Sequence, residues 1–198
     1  MQQTDGRLVL SPSDLSGFLE CRHYTRLELS VARGEQKRPV FPDEHRKILG
    51  RKGVEHEEAY LARLERDGWR VLRLPTYNYK KRDEPFDTEG ARRLTEAAIT
   101  TGEYDYLYQP YLADGDWQGF ADFLERRPDG SYEPIDAKLA RSARPEHVLQ
   151  LCFYAEQVER IQGRLPEHMH AQLGSGERES FRRTSRRSGK ISRISSTV

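Results

Sequence analysis

The sequence predicts an α/β domain with a mixed central sheet flanked by helices, and three observations support this. Two amphipathic segments with helical periodicity open the chain. Three strand-like segments then follow one another, joined by Asp-Gly turns at 114–115 and 129–130. A long helical segment separates this meander from a last short strand, an order typical of α/β domains. The length of 198 residues fits one domain.

Two helices are predicted in the first third of the chain. The segment 11–34 begins with a capping box formed by Ser11 and Asp14, and Gly34 marks its end. A second helix is predicted at about 43–67. One of its faces carries, at intervals of three and four residues, Leu49, Gly53, His56, Tyr60 and Leu64.

The remaining elements are predicted from shorter patterns. Residues 69–74 have the pattern of a strand, 75–87 that of a polar loop, and Thr88 is expected to cap a helix that reaches about Thr100. The three strands of the meander are YDYLYQPYL, WQGFADFLER and YEPIDAKLA. Residues 145–163 then form the long helix, from a proline at its start to a glycine at its end, and HMHAQL forms the last strand.

The composition excludes several classes of protein. Hydrophobic residues make up 35% of the chain, charged residues make up 33%, and the mean hydropathy is −0.89. Ten tyrosines and seven phenylalanines argue against general disorder. No apolar run approaches the 18 residues or so of a membrane span, and the first residues lack the pattern of a secretory signal. Two cysteines do not make a disulfide framework, so a cytoplasmic location is expected.

The net charge of +1 hides an uneven distribution. Residues 182–198 contain six arginines and lysines and no acidic residue, which leaves 27 basic against 32 acidic residues in the rest of the chain. We therefore expect any nucleic acid to be held by a local basic channel, because the overall field of the body does not attract phosphate.

Two acidic residues and a lysine in the meander have the arrangement of a metal-dependent active site. Asp122 is surrounded by apolar residues in GFADFLE, and a buried charge of this kind is costly unless it is paired or bound to a metal. Asp136 and Lys138 lie two residues apart on the next strand, so they share a face. Antiparallel pairing through RPDGSY would bring the two carboxylates together. Such a pair suits Mg²⁺ or Mn²⁺, and the lysine could stabilise charge in a transition state. The alternative is a cross-strand ion pair, worth about 0.2–1 kcal/mol.

Three further residues each have a structural and a functional interpretation. His56 is either a packed histidine on an apolar helix face or a metal ligand, and Gly53, one turn earlier, would allow another segment to approach closely. Gln150 and Tyr154 lie one turn apart on the long helix. Their spacing is compatible with ordinary amphipathic polarity and with a shared role beside the carboxylates.

Taken together, these motifs resemble those of the RecB-like nucleases of the PD-(D/E)xK superfamily. The matching order is G-x-x-H, then D, D-x-K and Q-x-x-x-Y. The segment SPSDLSGFLEC is also similar to the S-x-L-x-x-F/Y-x-x-C signature of CRISPR-associated and AddB-type members. The resemblance extends over about residues 8–181 and is greatest to bacterial RecB-family nucleases that are often fused to a helicase.

The resemblance implies a restriction-endonuclease-like core and a role for each matching position. His56, Asp122, Asp136 and the backbone carbonyl of Ala137 would bind Mg²⁺ or Mn²⁺, and Lys138 would be the catalytic lysine. The residues that would position the DNA backbone or the active-site groups are Gln150 and Tyr154. The implied reaction is metal-dependent hydrolysis of phosphodiester bonds in DNA, and a helicase module is an implied partner.

Two features depart from the family. Related proteins bind an iron–sulfur cluster through a cysteine that matches Cys21, but with Cys152 as the only other cysteine a four-thiolate site is not expected in this chain. Cys21 is either such a ligand without partners or a buried thiol. Residues 182–198 form a Ser- and Arg-rich tail that we expect to be disordered. It is either a basic arm that adds DNA affinity or the truncated end of a longer protein.

Three functions therefore remain open from the sequence. The first is a DNA nuclease that uses Mg²⁺ or Mn²⁺. The second is a nucleic-acid-binding or assembly module that keeps the nuclease fold but cleaves little or not at all. The third is an interaction domain with a salt-bridged sheet and no metal.

Overall fold

The structure, a computed structural model, describes residues 1–4, 6–39, 44–76, 86–182 and 195–197. Within these residues the chain forms five helices: α1 Pro12–Glu20, α2 Arg22–Ala32, α3 Glu44–Arg66, α4 Thr88–Thr101 and α5 Pro145–Gln162. It also forms eleven strands: β1 Gln2–Thr4, β2 Arg7–Val9, β3 Val71–Arg73, β4 Tyr106–Tyr108, β5 Tyr111–Asp114, β6 Trp117–Phe120, β7 Phe123–Arg126, β8 Tyr132–Lys138, β9 His168–Leu173, β10 Arg178–Arg182 and β11 Ser195–Thr197.

Seven strands form one mixed sheet in the order β11-β10-β9-β8-β7-β4-β3. Strands β7 and β8 are antiparallel, and the predicted Asp-Gly turn between them contains Gly130 at a φ of +85°. Strands β8 and β9 are parallel, because α5 carries the chain back to the same end of the sheet. The predicted α/β class with a mixed sheet is therefore confirmed.

Helices α3 and α5 cover opposite faces of this sheet. Successive residues of a strand point to opposite faces, and in β7 Phe123 packs with Tyr60 and Leu64 of α3, whereas Leu124 belongs to the cluster that contains Val158 of α5. Phe123 and Leu124 are fully buried, and each such side chain contributes about 1.5–3 kcal/mol. The layers of helix on both sides confirm that the sheet is flanked by helices.

A bend interrupts two of the three predicted meander strands. The first strand breaks at Gln109, whose φ of +56° lies in the left-handed region, and at Pro110, which lacks an amide hydrogen. The second breaks at Asp122. The amide of Gln109 donates to the carbonyl of Asp122 at 3.0 Å, so the two bends are bonded to each other. The prediction of unbroken strands was wrong here, and β5 and β6 leave the main sheet as a separate hairpin.

The first predicted helix is in fact two helices, because the chain breaks at Cys21. This residue is extended, with φ −156° and ψ 107°, and its sulfur accepts the amide hydrogen of Tyr24 at 3.4 Å. The ring of Tyr24 packs so closely on α1 that a Cβ at Gly17 would lie 3.2 Å from it. The predicted capping box is present, since the carboxylate of Asp14 accepts the Ser11 amide at 2.8 Å.

Helices α3 and α4 lie where they are predicted, but the cap of α4 and the surroundings of Gly53 in α3 differ from the prediction. Helix α3 ends just before Gly68, which has a φ of +87°. Asp87, not Thr88, caps α4, and its carboxylate accepts the amide of Gly90 at 2.8 Å. The expectation that Gly53 admits a neighbouring segment was wrong, because a Cβ there would meet nothing within 4 Å.

Two predictions concern residues that the structure describes only in part. The polar loop at 75–87 falls largely on 77–85, which lie outside the described residues. The same holds for most of the basic tail at 182–198, in which the structure describes only Arg182, the last residue of β10, and 195–197, which form edge strand β11. Within the described ranges no helix has the length and apolarity needed to cross a bilayer.

Candidate active site

Asp122 and Asp136 lie beside each other at the point where β7 begins. The register pairs Phe123 with Ile135, so the two aspartates are the next facing pair along the two strands. The Asp122 carboxylate accepts the amide hydrogen of Ala137 at 2.7 Å, which holds its side chain across the gap between the strands. The tight turn and the bend at Asp122 together therefore bring the two carboxylates to one place.

The carboxylate of Asp136 is fully buried, and its ionic partner is the ammonium of Lys138. The Asp136 side chain is 0% exposed, and the Lys138 ammonium lies 2.7 Å from Oδ1, an ion-pair distance. Among the described residues neither oxygen of Asp136 accepts a hydrogen bond from a backbone amide or a neutral side chain. Burial raises the pKa of Asp136 well above its ordinary value, and the charge of Asp122 raises it further, while Lys138 opposes both.

Lys138 shares a face with Asp136 and remains an ammonium in this setting. Burial lowers its pKa, but the nearby carboxylates of Asp136 and Asp122 outweigh this effect and raise the pKa above the usual value. The Lys138 side chain is 26% exposed, whereas that of Asp136 is 0% exposed, so Lys138 is the more accessible member of the pair. A ligand that approaches the carboxylates from solvent would therefore meet this charge.

The chemistry of these groups fits a hard divalent cation. The buried Asp136 carboxylate is costly as an anion, a second carboxylate lies beside it, and oxygen ligands of this kind suit Mg²⁺ or Mn²⁺. No group of three or more His, Cys, Asp or Glu side chains in the described part of the chain is arranged to hold a metal ion. A cation held here would therefore take its remaining ligands from backbone carbonyls or water, which Mg²⁺ commonly does.

The structure places His56 beside the strands that carry the carboxylates, without joining it to them. Its Nε2 lies 3.4 Å from the carbonyl oxygen of Gln172 in β9. Gln172 pairs in register with Ala137, so the imidazole is next to the segment that carries the predicted carbonyl ligand. The roles of His56 and of Ala137 as metal ligands remain predictions.

Gln150 and Tyr154 form a hydrogen-bonded chain that leads toward Asp122. The amide of Gln150 donates to the Tyr154 hydroxyl at 3.3 Å, and this hydroxyl donates to the carbonyl of Phe120 at 2.6 Å. Tyr154 is only 3% exposed and belongs to the core, which argues against simple surface polarity for this residue. A Cβ at Gly119 would lie 3.3 Å from the hydroxyl, so a glycine is needed for this close approach.

The two cysteines lie in different settings. Cys21 is exposed and serves as the cap of α2, so the expectation of a buried thiol was wrong. Cys152 is partly buried in α5, and neither residue forms a disulfide. The structure gives Cys21 a local structural role that needs no cluster.

Glu57 is a residue near the centre that the sequence analysis missed. Its carboxylate accepts a hydrogen bond from the side chain of Gln109. Burial raises the pKa of Glu57 to about 7, and the charge of Asp122 contributes to this rise. A signal was present in the sequence, since Glu57 occupies the first position of the buried helical stripe that continues through Tyr60, Leu61 and Leu64.

His147, in the first turn of α5, also lies near the centre and was missed. Its Nδ1 accepts the amide hydrogen of Arg144 at 3.2 Å. Burial lowers the pKa of His147, and the positive charge of Lys138 lowers it further. The imidazole of His147 is thus close enough to Lys138 for the lysine charge to change its pKa.

A second buried acidic residue in β8, Glu133, provides a contrast. It is 2% exposed, but it accepts hydrogen bonds from the His168 amide at 2.8 Å and from His170 Nε2 at 3.0 Å. Burial alone would raise its pKa, but these donors and Arg127 outweigh burial and lower the pKa. Glu133 is fully satisfied by protein groups, whereas Asp136 is not.

Comparisons with known proteins add no assignment to this geometry. No family model matches the chain, and no curated protein matches it.

Proposed function

We propose that this protein is a divalent-metal-dependent DNA nuclease that resembles the RecB-like enzymes and has a restriction-endonuclease-like core. The observation that carries the proposal is the fully buried Asp136 carboxylate beside Asp122, which pairs with the Lys138 ammonium and, among the described residues, accepts no hydrogen bond from a backbone amide or a neutral side chain. An ordinary structural ion pair would be hydrogen-bonded and satisfied, as Glu133 is.

Each residue of the centre has a defined task in phosphodiester hydrolysis. Asp122 and Asp136 would bind Mg²⁺ or Mn²⁺, and the bound cation would neutralise phosphate charge and lower the pKa of a bound water. The Lys138 ammonium would donate to the scissile phosphate or the attacking water, and would stabilise the negative charge that develops in the transition state. The buried chain from Gln150 through Tyr154 would hold the β6–β7 bend, and with it Asp122, in place.

An exposed lysine on α3, Lys52, is a candidate contact for the phosphates of a nucleic-acid substrate. The first half of α3 is exposed, and its other basic residues include Lys47, which pairs with Glu44 at 2.8 Å, and Arg51, which pairs with Glu55 at 3.6 Å. A helix rises about 1.5 Å per residue, so Lys52 lies about 8 Å along α3 from Glu57. Lys52→Ala is expected to weaken DNA binding and to reduce its salt dependence by about one released counterion.

The test is cleavage of end-labelled single- and double-stranded DNA in Mg²⁺, Mn²⁺ or EDTA by the full chain. Asp136→Asn and Lys138→Met should each abolish cleavage, while the exposed controls Asp67→Asn and Lys37→Met should cleave like the wild type. Circular dichroism would verify that each variant is folded. Cleavage that persists in EDTA, or in the folded Asp136→Asn variant, would refute the proposal.

A second candidate is a nucleic-acid-binding module with the same fold and little or no cleavage. It is favoured by the absence of a three-ligand His, Cys, Asp or Glu group among the described residues. DNA binding that depends on Lys52, combined with no cleavage by the folded wild type in either metal, would support this candidate over the nuclease.

A further inference from the structure

Glu57 is the third carboxylate near the Asp122–Asp136 pair, and it comes from a different layer of the fold. The stripe on α3 that contains Tyr60, Leu61 and Leu64 packs against the sheet, and Glu57 begins this stripe on the same side of the helix. The packing of α3 therefore directs an acidic side chain toward the sheet, where an apolar residue would be the ordinary choice.

Two neighbouring residues of the β4–β5 segment act on the Glu57 carboxylate. The Gln109 side-chain amide donates a hydrogen bond to Oε1, and Tyr108 lowers the pKa of Glu57. The backbone amide of Gln109 donates to the carbonyl of Asp122 at 3.0 Å. Gln109 thus connects Glu57 to Asp122, and it does so from a left-handed conformation, with φ +56°, that costs a non-glycine residue free energy.

Among the described residues, the acids of this cluster outnumber its cations. Asp122 raises the pKa of both Glu57 and Asp136, and the Lys138 ammonium lowers both. In the described part of the chain the buried oxygens of Asp136 accept no hydrogen bond from a backbone amide or a neutral side chain. When all three acids are ionised, the four groups carry a net charge of about −2, which one divalent cation would neutralise.

We propose that Glu57 is a positioning residue for the divalent cation that Asp122 and Asp136 bind, and that it acts through hydrogen bonds with the cation's water shell. This inference rests on the proposed metal-dependent function. Contact through water is favoured because the three carboxylates do not form a direct three-ligand group, and because Mg²⁺ and Mn²⁺ retain water readily. Gln109 and Tyr108 would fix the orientation of Glu57, as outer partners do in metal sites.

The test measures Mn²⁺ binding by the full chain, from the electron paramagnetic resonance signal of free Mn²⁺. Glu57→Gln keeps the shape of the side chain and removes its charge, and it should weaken Mn²⁺ binding by about tenfold or more. The neighbouring Glu58 is exposed on the same helix, and Glu58→Gln is the matched control that should bind like the wild type. Asp136→Asn should lose binding.

Thermal unfolding in EDTA separates this role from a structural one. A positioning role predicts that Glu57→Gln melts at the wild-type temperature or above it, because a carboxylate near Asp122 is removed. If Glu57→Gln binds Mn²⁺ like the wild type while Asp136→Asn does not, Glu57 does not position the cation. The proposal that Asp122 and Asp136 bind the metal is then retained. If Glu57→Gln melts lower in EDTA, Glu57 serves folding and the inference fails. If the folded wild type does not bind Mn²⁺ at millimolar concentration, both this inference and the proposed function fail.

Discussion

Replacement of the buried Asp136 carboxylate by the neutral amide of asparagine is expected to stabilise the metal-free protein. Burial and repulsion by Asp122 raise the pKa of Asp136 and together outweigh attraction by the Lys138 ammonium 2.7 Å away, so the ionised carboxylate, which is 0% exposed, costs the metal-free fold free energy. Lys138 keeps Asp122 as a neighbouring charge in the variant. We expect a net gain of about 1–3 kcal/mol in the free energy of unfolding.

The assay is thermal unfolding of the wild type and Asp136→Asn in EDTA and in Mn²⁺. For a chain of this length the expected gain in EDTA corresponds to a melting temperature higher by about 2–12 °C. At a Mn²⁺ concentration one hundred times the Kd, the wild type would gain about 2.7 kcal/mol and the variant would gain nothing, which removes or reverses the difference. The exposed control Asp67→Asn should stay within about 0.5 kcal/mol of the wild type in both conditions.

The opposite result in EDTA would refute this reasoning. If Asp136→Asn melts below the wild type without metal, the pair with Lys138 outweighs the cost of burial, and Asp136 is a structural residue. If the variant is more stable in EDTA but Mn²⁺ stabilises both proteins equally, the buried charge is costly for a reason other than binding this metal.

Three further results are expected. In EDTA, the free energy of unfolding should fall as the pH rises from about 4.5 to about 7. The reason is that the pKa of Glu57 is about 7 in the folded state against a usual 4.5, so the folded chain holds an extra proton in that range. Urea unfolding measured at several pH values should show that Glu57→Gln removes this part of the pH dependence. Tyr154→Phe should cost about 1–2 kcal/mol in the same assay, because the buried carbonyl of Phe120 loses its donor. Glu133→Gln should destabilise the protein by about 1–3 kcal/mol, opposite in sign to Asp136→Asn, because the single amide oxygen of glutamine cannot replace the two carboxylate oxygens that accept from the His168 amide and from His170 Nε2.

The positions of Asp122, Asp136 and Lys138 could be predicted because they depend on short-range rules. The Asp-Gly turn of RPDGSY sets an antiparallel register, and that register makes the two aspartates face each other. The two-residue period of a strand then puts Lys138 on the face of Asp136. Neither step needs knowledge of distant contacts, so both can be read from the sequence.

The bends could not be predicted from the sequence, and the helical signal for Glu57 was ambiguous, because both depend on long-range packing. Which face of α3 meets the sheet is decided by Tyr60, Leu61 and Leu64, and the sequence offered a competing stripe through His56. The bend at Gln109 depends on its bond to Asp122, which lies 13 residues away in the chain. The break at Cys21 likewise depends on the packing of Tyr24 against Gly17. Local propensity carries no information on such contacts.

Glu133 and Asp136 show why burial alone does not identify a functional acid. Both lie in β8, both are almost inaccessible, and the alternation of the strand places them on opposite faces. Glu133 has protein donors that lower its pKa, and its charge is thereby part of the fold. Asp136 has the Lys138 ammonium beside it but, in the described part of the chain, accepts no hydrogen bond from a backbone amide or a neutral side chain, and its pKa is raised. A carboxylate that is costly to ionise in a packed core serves stability less well than a neutral residue would, and such departures from local consistency are typical of functional sites. The proposal of a cation at Asp136 is supported by this contrast within one strand, because the fold favours the charge of one acid and disfavours the charge of the other.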